Sequence, residues 1–174
     1  TPFIVGASLF MENVDSTAIA TALPSIAADL GTSPLTLKLA ITSYLVAFAI
    51  AIPASGWLAD RFGARPVFTT ALIIFMIGSL SCAFSGSITQ FIIARVLQGT
   101  GAAMMTPVSR VVMLRTVEKR DLVRAMTFVA LPAQIGPLIG PAIGGFITSY
   151  WSWHGIFLIN IPIGVIGILL AQFF

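Results

Sequence analysis

Long apolar runs, each followed by a short polar segment, are the feature that most limits how this chain can fold. Six of them are long enough to cross a bilayer, because a transmembrane helix needs roughly 20 residues. The candidate helices are 3–23, 39–58, 67–84, 89–112, 125–147 and 155–174. They are too long for barrel strands and lack the alternation of apolar and polar residues. The sequence predicts an all-α membrane protein, a bundle of six transmembrane helices.

The composition excludes several other classes. Only 9% of the 174 residues are charged, against about 25% in a soluble domain. The single Cys82 and single His154 allow no internal disulfide and no metal cluster. Neither Lys38 nor Lys119 follows a glycine, so the phosphate-binding loop of an ATP-driven pump is absent. We expect neither an enzyme nor a cofactor-binding protein, and the net charge of +3 is weak support for a nucleic-acid partner.

Basic residues concentrate on one side of the predicted bundle. Seven lie after the second and fourth predicted helices: Arg61, Arg65, Arg110, Arg115, Lys119, Arg120 and Arg124. Lys38 is the one on the other side, where Tyr150, Trp151 and Trp153 are expected to form an aromatic belt. By the positive-inside rule the basic loops and the N-terminus face the cytoplasm of a plasma membrane, the inner membrane in a bacterium. The cluster at 115–124 also suits a simpler role, contact with anionic headgroups.

Three charged residues fall deep inside predicted helices, away from their ends. Glu12 and Asp15 are three residues apart on one helix face, roughly 13 and 18 Å into a bilayer core of about 30 Å. An acid at that depth costs on the order of 2.5–3.5 kcal/mol. Two neighbouring carboxyls cannot both ionise cheaply in a poorly hydrated site, which favours a proton carrier. The alternative is a structural hydrogen bond to another helix.

Arg95 lies in the fourth predicted helix at a depth similar to that of Asp15. A pairing with Asp15 or with Glu12 is therefore possible, and Gln98 extends the same polar face. An arginine keeps its charge, so it can change how readily a neighbouring carboxyl binds a proton. The alternative is a structural arginine bonded to backbone carbonyls.

The segment 56–65 is expected to form a tight cytoplasmic turn with an acid–base cluster. Gly56 and Gly63 allow turn conformations that other residues avoid. Asp60 either accepts a charge-assisted hydrogen bond from an arginine or caps a helix end. The alternative is a topology signal that uses Arg61 and Arg65 alone.

The fifth predicted helix combines glycine with proline. Gly136, Gly140 and Gly144 recur every four residues, which allows another helix to approach closely. Pro137 and Pro141 remove backbone donors and bend the helix. This combination favours a hinge or a sealed interface over ordinary tight packing.

Several segments resemble signatures of the major facilitator superfamily. The chain has G-x-L-A-D-R-x-G-x-R at 56–65, R-V-L-Q-G-x-G at 95–101 and G-x-x-x-G-P-x-x-G-G at 136–145. The third is similar to the motif of drug:proton antiporters, and segments 15–24 and 151–164 resemble the fourteen-helix drug-efflux branch. Ala64 and Thr127 depart from the common pattern.

The resemblance implies the N-terminal six-helix half of a transporter, built from two inverted three-helix repeats. The C-terminal half is missing from a chain that opens at Thr1 and stops at Phe174, and twelve or fourteen helices remain possible for the intact protein. Arg95 would take part in proton coupling. The residues implied to gate the cytoplasmic side are Gly56, Asp60, Arg61, Gly63 and Arg65. Those implied to seal the interface between halves are Gly136, Gly140, Pro141, Gly144 and Gly145.

The expected function is export of amphipathic, cationic compounds by alternating access, driven by the proton gradient. Asp15, together with Glu12, would bind either a proton or the charge of the substrate. The expected partners are protons, the substrate, the lipid bilayer and the missing half. One alternative is an uptake or metabolite transporter of the same superfamily, and another is a non-transporting membrane sensor or assembly module.

Overall fold

The computed structural model describes residues 2–172 and consists of helices joined by short turns. The helices are α1 (Pro2–Asp29), α2 (Pro34–Phe62), α3 (Ala64–Ala83), α4 (Ile88–Thr116), α5 (Leu122–Tyr150), α6 (His154–Leu158) and α7 (Asn160–Ala171). No strand occurs over this range, and the all-α prediction is confirmed. A helix of 29 residues such as α2 is about 43 Å long, enough to cross a bilayer core of about 30 Å.

Several helices extend past the apolar runs that predicted them. Ser33 starts α2 earlier than expected, because its hydroxyl accepts the Thr36 backbone N–H at 3.1 Å and Pro34 suits the first turn. Ser87 starts α4 in the same way, accepting from the Gln90 backbone N–H at 3.3 Å. Hydropathy detects the apolar part of a helix, whereas caps decide where the helix ends.

The last predicted helix, 155–174, is two helices in the structure. α6 ends at Leu158 and α7 begins at Asn160. Pro162 lacks the N–H that would bond to the Leu158 carbonyl in a continuous helix, which explains a break at this point. The backbone of Ile159 stays helical, with φ −65° and ψ −23°, so this break interrupts the hydrogen bonding within one possible membrane span, His154–Ala171. The prediction of six spans is unaffected, and the predicted end of the last one at Phe174 lies outside the described residues.

The helices pack in a reciprocal pattern. α1 packs mainly on α5, α4 packs on α2 and α3, and α7 packs on α3 and α1. We take α1–α3 as one set of helices and α4–α7 as the other. The first helix of each set then packs on the second helix of the other set: α1 on α5, and α4 on α2. Such an exchange is expected of two interlocked inverted repeats.

Much of the outer surface is apolar. Ile50 on α2 is 73% exposed and Leu138 on α5 is 79% exposed. By length and composition α2, α3, α5 and the segment His154–Ala171 can cross a membrane. α1 and α4 are as long, but they contain the buried charged side chains. A lipid bilayer is the environment in which such a surface is stable.

Glycines allow the closest helix contacts. A Cβ at Gly144 on α5 would lie 2.5 Å from the backbone carbonyl oxygen of Ala18 on α1. A Cβ at Gly101 on α4 would lie 2.6 Å from the backbone nitrogen of Phe75 on α3. Both contacts are with backbone atoms, so neither neighbour can move aside easily.

Adjacent glycines on α5 provide a matched test of this packing. Gly144→Ala places a methyl group against α1 and should lower the unfolding free energy by about 1–3 kcal/mol. Gly145→Ala meets no atom within 4 Å and should leave stability unchanged or raise it by up to about 1 kcal/mol. Thermal unfolding in detergent measures both, and equal effects of the two substitutions would contradict the α1–α5 contact.

Candidate functional site

A buried ion pair joins α1 to α4 at the centre of the bundle. Arg95 Nη1 lies 2.8 Å from Asp15 Oδ2, and both side chains are at most 1% exposed. Asp15 is near the middle of α1, about 20 Å from either end. The sequence left Asp15 and Glu12 open as partners of Arg95, and the structure pairs it with Asp15.

Asp15 receives two further hydrogen bonds. Gln98 Nε2 donates to Asp15 Oδ1 at 3.0 Å, and Asn160 Nδ2 donates to the same oxygen at 2.7 Å. The carboxylate of α1 is therefore held by donors from α4 and α7. Buried charges are stable when they are both paired and hydrogen-bonded in this way.

Side chains also surround Arg95. Its Nη1 donates to Gln98 Oε1 at 2.7 Å, and its Cζ lies 4.2 Å from the centre of the Tyr44 ring, a cation–π contact. Within residues 2–172 the hydrogen bonds of Arg95 go to Asp15 and Gln98. The alternative of an arginine held by backbone carbonyls is therefore wrong.

Asn160 extends the hydrogen-bond network from Asp15 to α3 and α6. The sequence did not single out this residue. Asn160 Nδ2 donates to Ser79 Oγ at 2.9 Å, and Ser79 Oγ donates to the Phe157 backbone carbonyl at 2.9 Å. The available signal was a single asparagine inside an apolar run, because polar side chains at membrane depth usually bond to another helix.

Glu12 faces a cavity instead of the ion pair. Thr106 Oγ1 donates to Glu12 Oε2 at 3.3 Å. Both line a cavity of about 440 Å³ between α1, α4 and α5, together with Asn13, Arg110 and Gln134. A volume of this size suits a small organic ligand. The two carboxyls of α1 thus occupy different environments.

The predicted turn at 56–65 is mostly helix, which corrects the expectation. Gly56, Asp60 and Arg61 lie in α2, and Arg65 lies in α3. Gly63 alone forms the turn, with φ +92°. Because no residue between 57 and 62 breaks a helix, α2 continues until a left-handed glycine is reached.

The charged residues around this turn contact the ends of other helices. Asp60 Oδ1 lies 3.6 Å from Arg115 Nη2 at the end of α4. Arg65 Nη2 donates to the Gln172 backbone carbonyl at 2.5 Å. Both members of the Asp60–Arg115 pair are exposed, so this pair contributes at most about 1 kcal/mol. Gating of the cytoplasmic side by these residues stays a prediction.

The glycines of α5 pack on α1 of the same bundle. Gly136 approaches Asn13, Gly140 approaches Thr17 and Gly144 approaches Ala18. These contacts are made within the bundle, and the predicted role of the three glycines at an interface with a second half stays a prediction. Two other residues of the motif, Pro141 and Gly145, are not buried, and their place at such an interface stays a prediction.

Two of the three residues expected in the aromatic belt are exposed on the surface. Tyr150 is 77% exposed and Trp151 87% exposed, but Trp153 is 2% exposed. Trp153 Nε1 donates to Asp29 Oδ2 at 2.6 Å, and its ring packs edge-on against Phe91. The prediction is wrong for Trp153, because its indole closes one end of the core.

The arrangement places a carboxyl group, which can exist with or without a proton, beside an arginine, which keeps its charge. Among the described residues, no three or more His, Cys, Asp or Glu side chains come together to hold a metal ion. A half-bundle with buried charges on the first helix of each repeat is typical of a secondary transporter.

A family profile supports this class. The profile described as Major Facilitator Superfamily matches residues 5–174. The chain therefore belongs to this superfamily of transporters.

Related proteins and structures are consistent with that assignment. The chain is 52% identical over 165 residues to a protein of Salmonella typhi provisionally named multidrug resistance protein MdtD, and equally to its Salmonella paratyphi B counterpart. Each match covers 95% of this chain and 35% of the relative. The chain thus spans about a third of the length of these curated relatives.

Solved transporter structures share the fold. The proton:xylose symporter XylE bound to 6-bromo-6-deoxy-D-glucose matches with a TM-score of 0.87 and 16% identity, over 99% of this chain and 44% of that one. The inward-open xylose transporter XylE from E. coli gives 0.86 at 16% identity, over 99% and 47%. Such coverage is that of one six-helix half of a transporter.

The Asp15–Arg95 pair can be tested by a double-mutant cycle in the intact protein. Arg95→Leu leaves a buried carboxylate without its cation and should destabilise the protein by about 3–5 kcal/mol. Adding Asp15→Asn should recover at least about 1 kcal/mol, because the unpaired charge is removed. Thermal unfolding in detergent compares the two single variants, Arg95→Leu and Asp15→Asn, with the double variant. If the loss of unfolding free energy in the double variant equals the sum of the two single losses, the pairing is contradicted.

Proposed function

We propose that this chain is the N-terminal half of a proton-coupled transporter that exports amphipathic, cationic compounds by alternating access. The observation that carries the proposal is the buried carboxylate of Asp15, held by Arg95, Gln98 and Asn160. The name of the 52%-identical Salmonella relatives favours drugs over nutrients as the substrate class.

Proton binding at Asp15 changes the charge balance at the centre of the bundle. With Asp15 ionised, its charge cancels that of Arg95. A proton on Asp15 leaves Arg95 as an uncompensated cation in an apolar interior, a situation worth several kcal/mol. The protonated state therefore favours a conformation in which Arg95 gains water or another anion. A difference of this kind can bias two arrangements of the helices.

The cavity beside Glu12 supplies the substrate site. Its wall combines the Glu12 carboxyl group and the Arg110 guanidinium with apolar side chains such as Leu9, Met113 and Met126. Methionine adapts to ligands of different shape, and a carboxylate attracts a cation. An organic cation near Glu12 also opposes a proton on Asp15, three residues away, so loading of one expels the other.

The orientation and the partners belong to the same proposal. Seven basic residues at one end support an orientation in which that end and the N-terminus face the cytoplasm, with the protein in a bacterial inner membrane. A C-terminal half completes the cavity from the other side. A sensor or assembly module is the less suitable alternative, because it has no use for a buried ion pair one helical turn away from a ligand-sized cavity.

The experiment measures transport by the intact protein in inverted membrane vesicles with an imposed pH gradient. Asp15→Asn should reduce proton-driven efflux of an amphipathic cation at least about tenfold, because the neutral amide cannot bind the proton. Asp29→Asn is the matched control on the same helix, since Asp29 lies outside the central network, and it should retain efflux.

Three results would contradict this function. Efflux by Asp15→Asn at the wild-type rate would exclude Asp15 as the proton site. Proton-driven movement in the opposite direction would indicate an uptake or metabolite transporter. Absence of any substrate-dependent proton movement in the wild type would indicate a sensor or assembly module.

A further inference from the structure

We propose that Asn160 is a positioning residue that responds to proton binding at Asp15. Its side-chain amide reverses, and Ser79 transmits the change to the junction between α6 and α7. This inference deepens the proposed function and rests on it for the role of Asp15 as the proton site.

The reason lies in the donors around the Asp15 carboxylate. Oδ1 accepts from Gln98 Nε2 at 3.0 Å and from Asn160 Nδ2 at 2.7 Å, and Oδ2 accepts from Arg95 at 2.8 Å. An ionised carboxylate only accepts, so all three contacts match. A protonated Asp15 has an O–H to donate, and none of these three partners presents an acceptor to it. The proton binds Oδ1, because Oδ2 faces the guanidinium cation, and one neighbour must then reorient.

Gln98 cannot be the neighbour that reorients. Its Oε1 accepts from Arg95 Nη1 at 2.7 Å and from Cys82 Sγ at 3.7 Å. Reversal of the Gln98 amide would place its NH₂ group against the guanidinium, with two donors facing each other. The permanent charge of Arg95 therefore fixes the orientation of Gln98.

Asn160 can reverse because its second partner is a hydroxyl. Asn160 Nδ2 donates to Ser79 Oγ at 2.9 Å, and Ser79 donates to the Phe157 carbonyl at 2.9 Å. A hydroxyl both donates and accepts. After a half-turn of the amide, the Asn160 carbonyl accepts from the Asp15 O–H and from the Ser79 O–H. Asn160 and Ser79 are at most 1% exposed, so bulk water does not compete for these bonds.

The reorientation of Ser79 changes the hydrogen bonding at the junction between α6 and α7. Once Ser79 turns toward Asn160, the Phe157 carbonyl loses its side-chain donor. Phe157 is the last residue but one of α6, next to the point where Pro162 already withholds a backbone donor. One proton from the aqueous phase forms the O–H of Asp15, and no other covalent bond to hydrogen is made or broken. The junction between α6 and α7 loses one hydrogen bond.

The test must distinguish protonation of Asp15 from protonation of the other titratable groups near it. Those that interact with it electrostatically are Glu12 on α1, Tyr44 on α2, Cys82 on α3 and Arg95 on α4. On α5 the titratable residues are Arg124 and Tyr150 near its ends, and on α6 His154. α7 has none. Glu12 is the other membrane-buried carboxyl, so a Glu12→Gln variant controls for its protonation.

The direct test is infrared difference spectroscopy of the full-length transporter in lipid bilayers, between high and low pH. An Asn160 amide carbonyl band, identified by its loss in Asn160→Leu, should shift together with the rise of a protonated Asp15 carboxyl band. The shift should persist in Glu12→Gln and vanish in Asp15→Asn. It does not depend on transport.

The second readout is transport in proteoliposomes. Asn160→Leu should reduce proton-driven transport on the order of tenfold, as expected for loss of a hydrogen bond to a charged group. Gradient-independent substrate exchange should stay within about twofold. Ser79→Ala should act in the same direction. Ser81→Ala is the matched control and should behave as wild type, since the exposed Ser81 hydroxyl donates to the Ile77 carbonyl of its own helix at 2.8 Å.

The results that would contradict the inference differ from the result that would contradict the proposed function. Equal loss of driven transport and exchange in Asn160→Leu would mean a structural role and overturn the inference. An Asn160 band that stays fixed while Asp15 binds its proton, or an Asp15 band that never rises, would also overturn it. A normal infrared response in a wild-type protein that moves no substrate would overturn the proposed function and leave the amide reversal standing.

Discussion

The structure depends on how one buried carboxyl group is paired in an apolar interior. Asp15 is 1% exposed, and an isolated charge at that depth would cost several kcal/mol. Three donors offset this cost: Arg95 and Gln98 from α4, and Asn160 from α7. Because these donors lie on helices of one set and the acceptor on a helix of the other, the hydrogen bonds hold the two sets in register.

Close helix packing is what brings these groups together. α4 lies against α3 where a Cβ on Gly78 would be 2.6 Å from the Gln98 backbone nitrogen, and against α2 where a Cβ on Gly99 would be 2.5 Å from the Tyr44 carbonyl oxygen. Both contacts lie at or next to the level of Gln98. Larger residues there would move α4 away from α1, and a buried ion pair loses its value when its geometry loosens.

The sequence could predict what depends on local pattern and depth. Apolar runs located the helices, and the depths of Asp15 and Arg95 placed them at the same level. It could not predict what depends on which helices are neighbours. Asn160 belongs to a segment that resembles a family motif, and only the position of α7 beside α1 brings it to Asp15. The approach of Gly140 to Thr17 likewise depends on α5 and α1 being neighbours. Trp153 was expected in the aromatic belt because its hydrogen bond to Asp29, 124 positions away, leaves no local signal.

The central claim is that proton and substrate compete through Asp15. The direct measurement is proton release when an amphipathic cation such as tetraphenylphosphonium binds the purified intact transporter, followed with a pH-indicator dye in weak buffer. At a pH low enough for Asp15 to carry a proton before the cation binds, linkage predicts up to about one proton released per cation bound by the wild type, and none from this position in Asp15→Asn. No release by the wild type, or equal release by Asp15→Asn, would contradict the account.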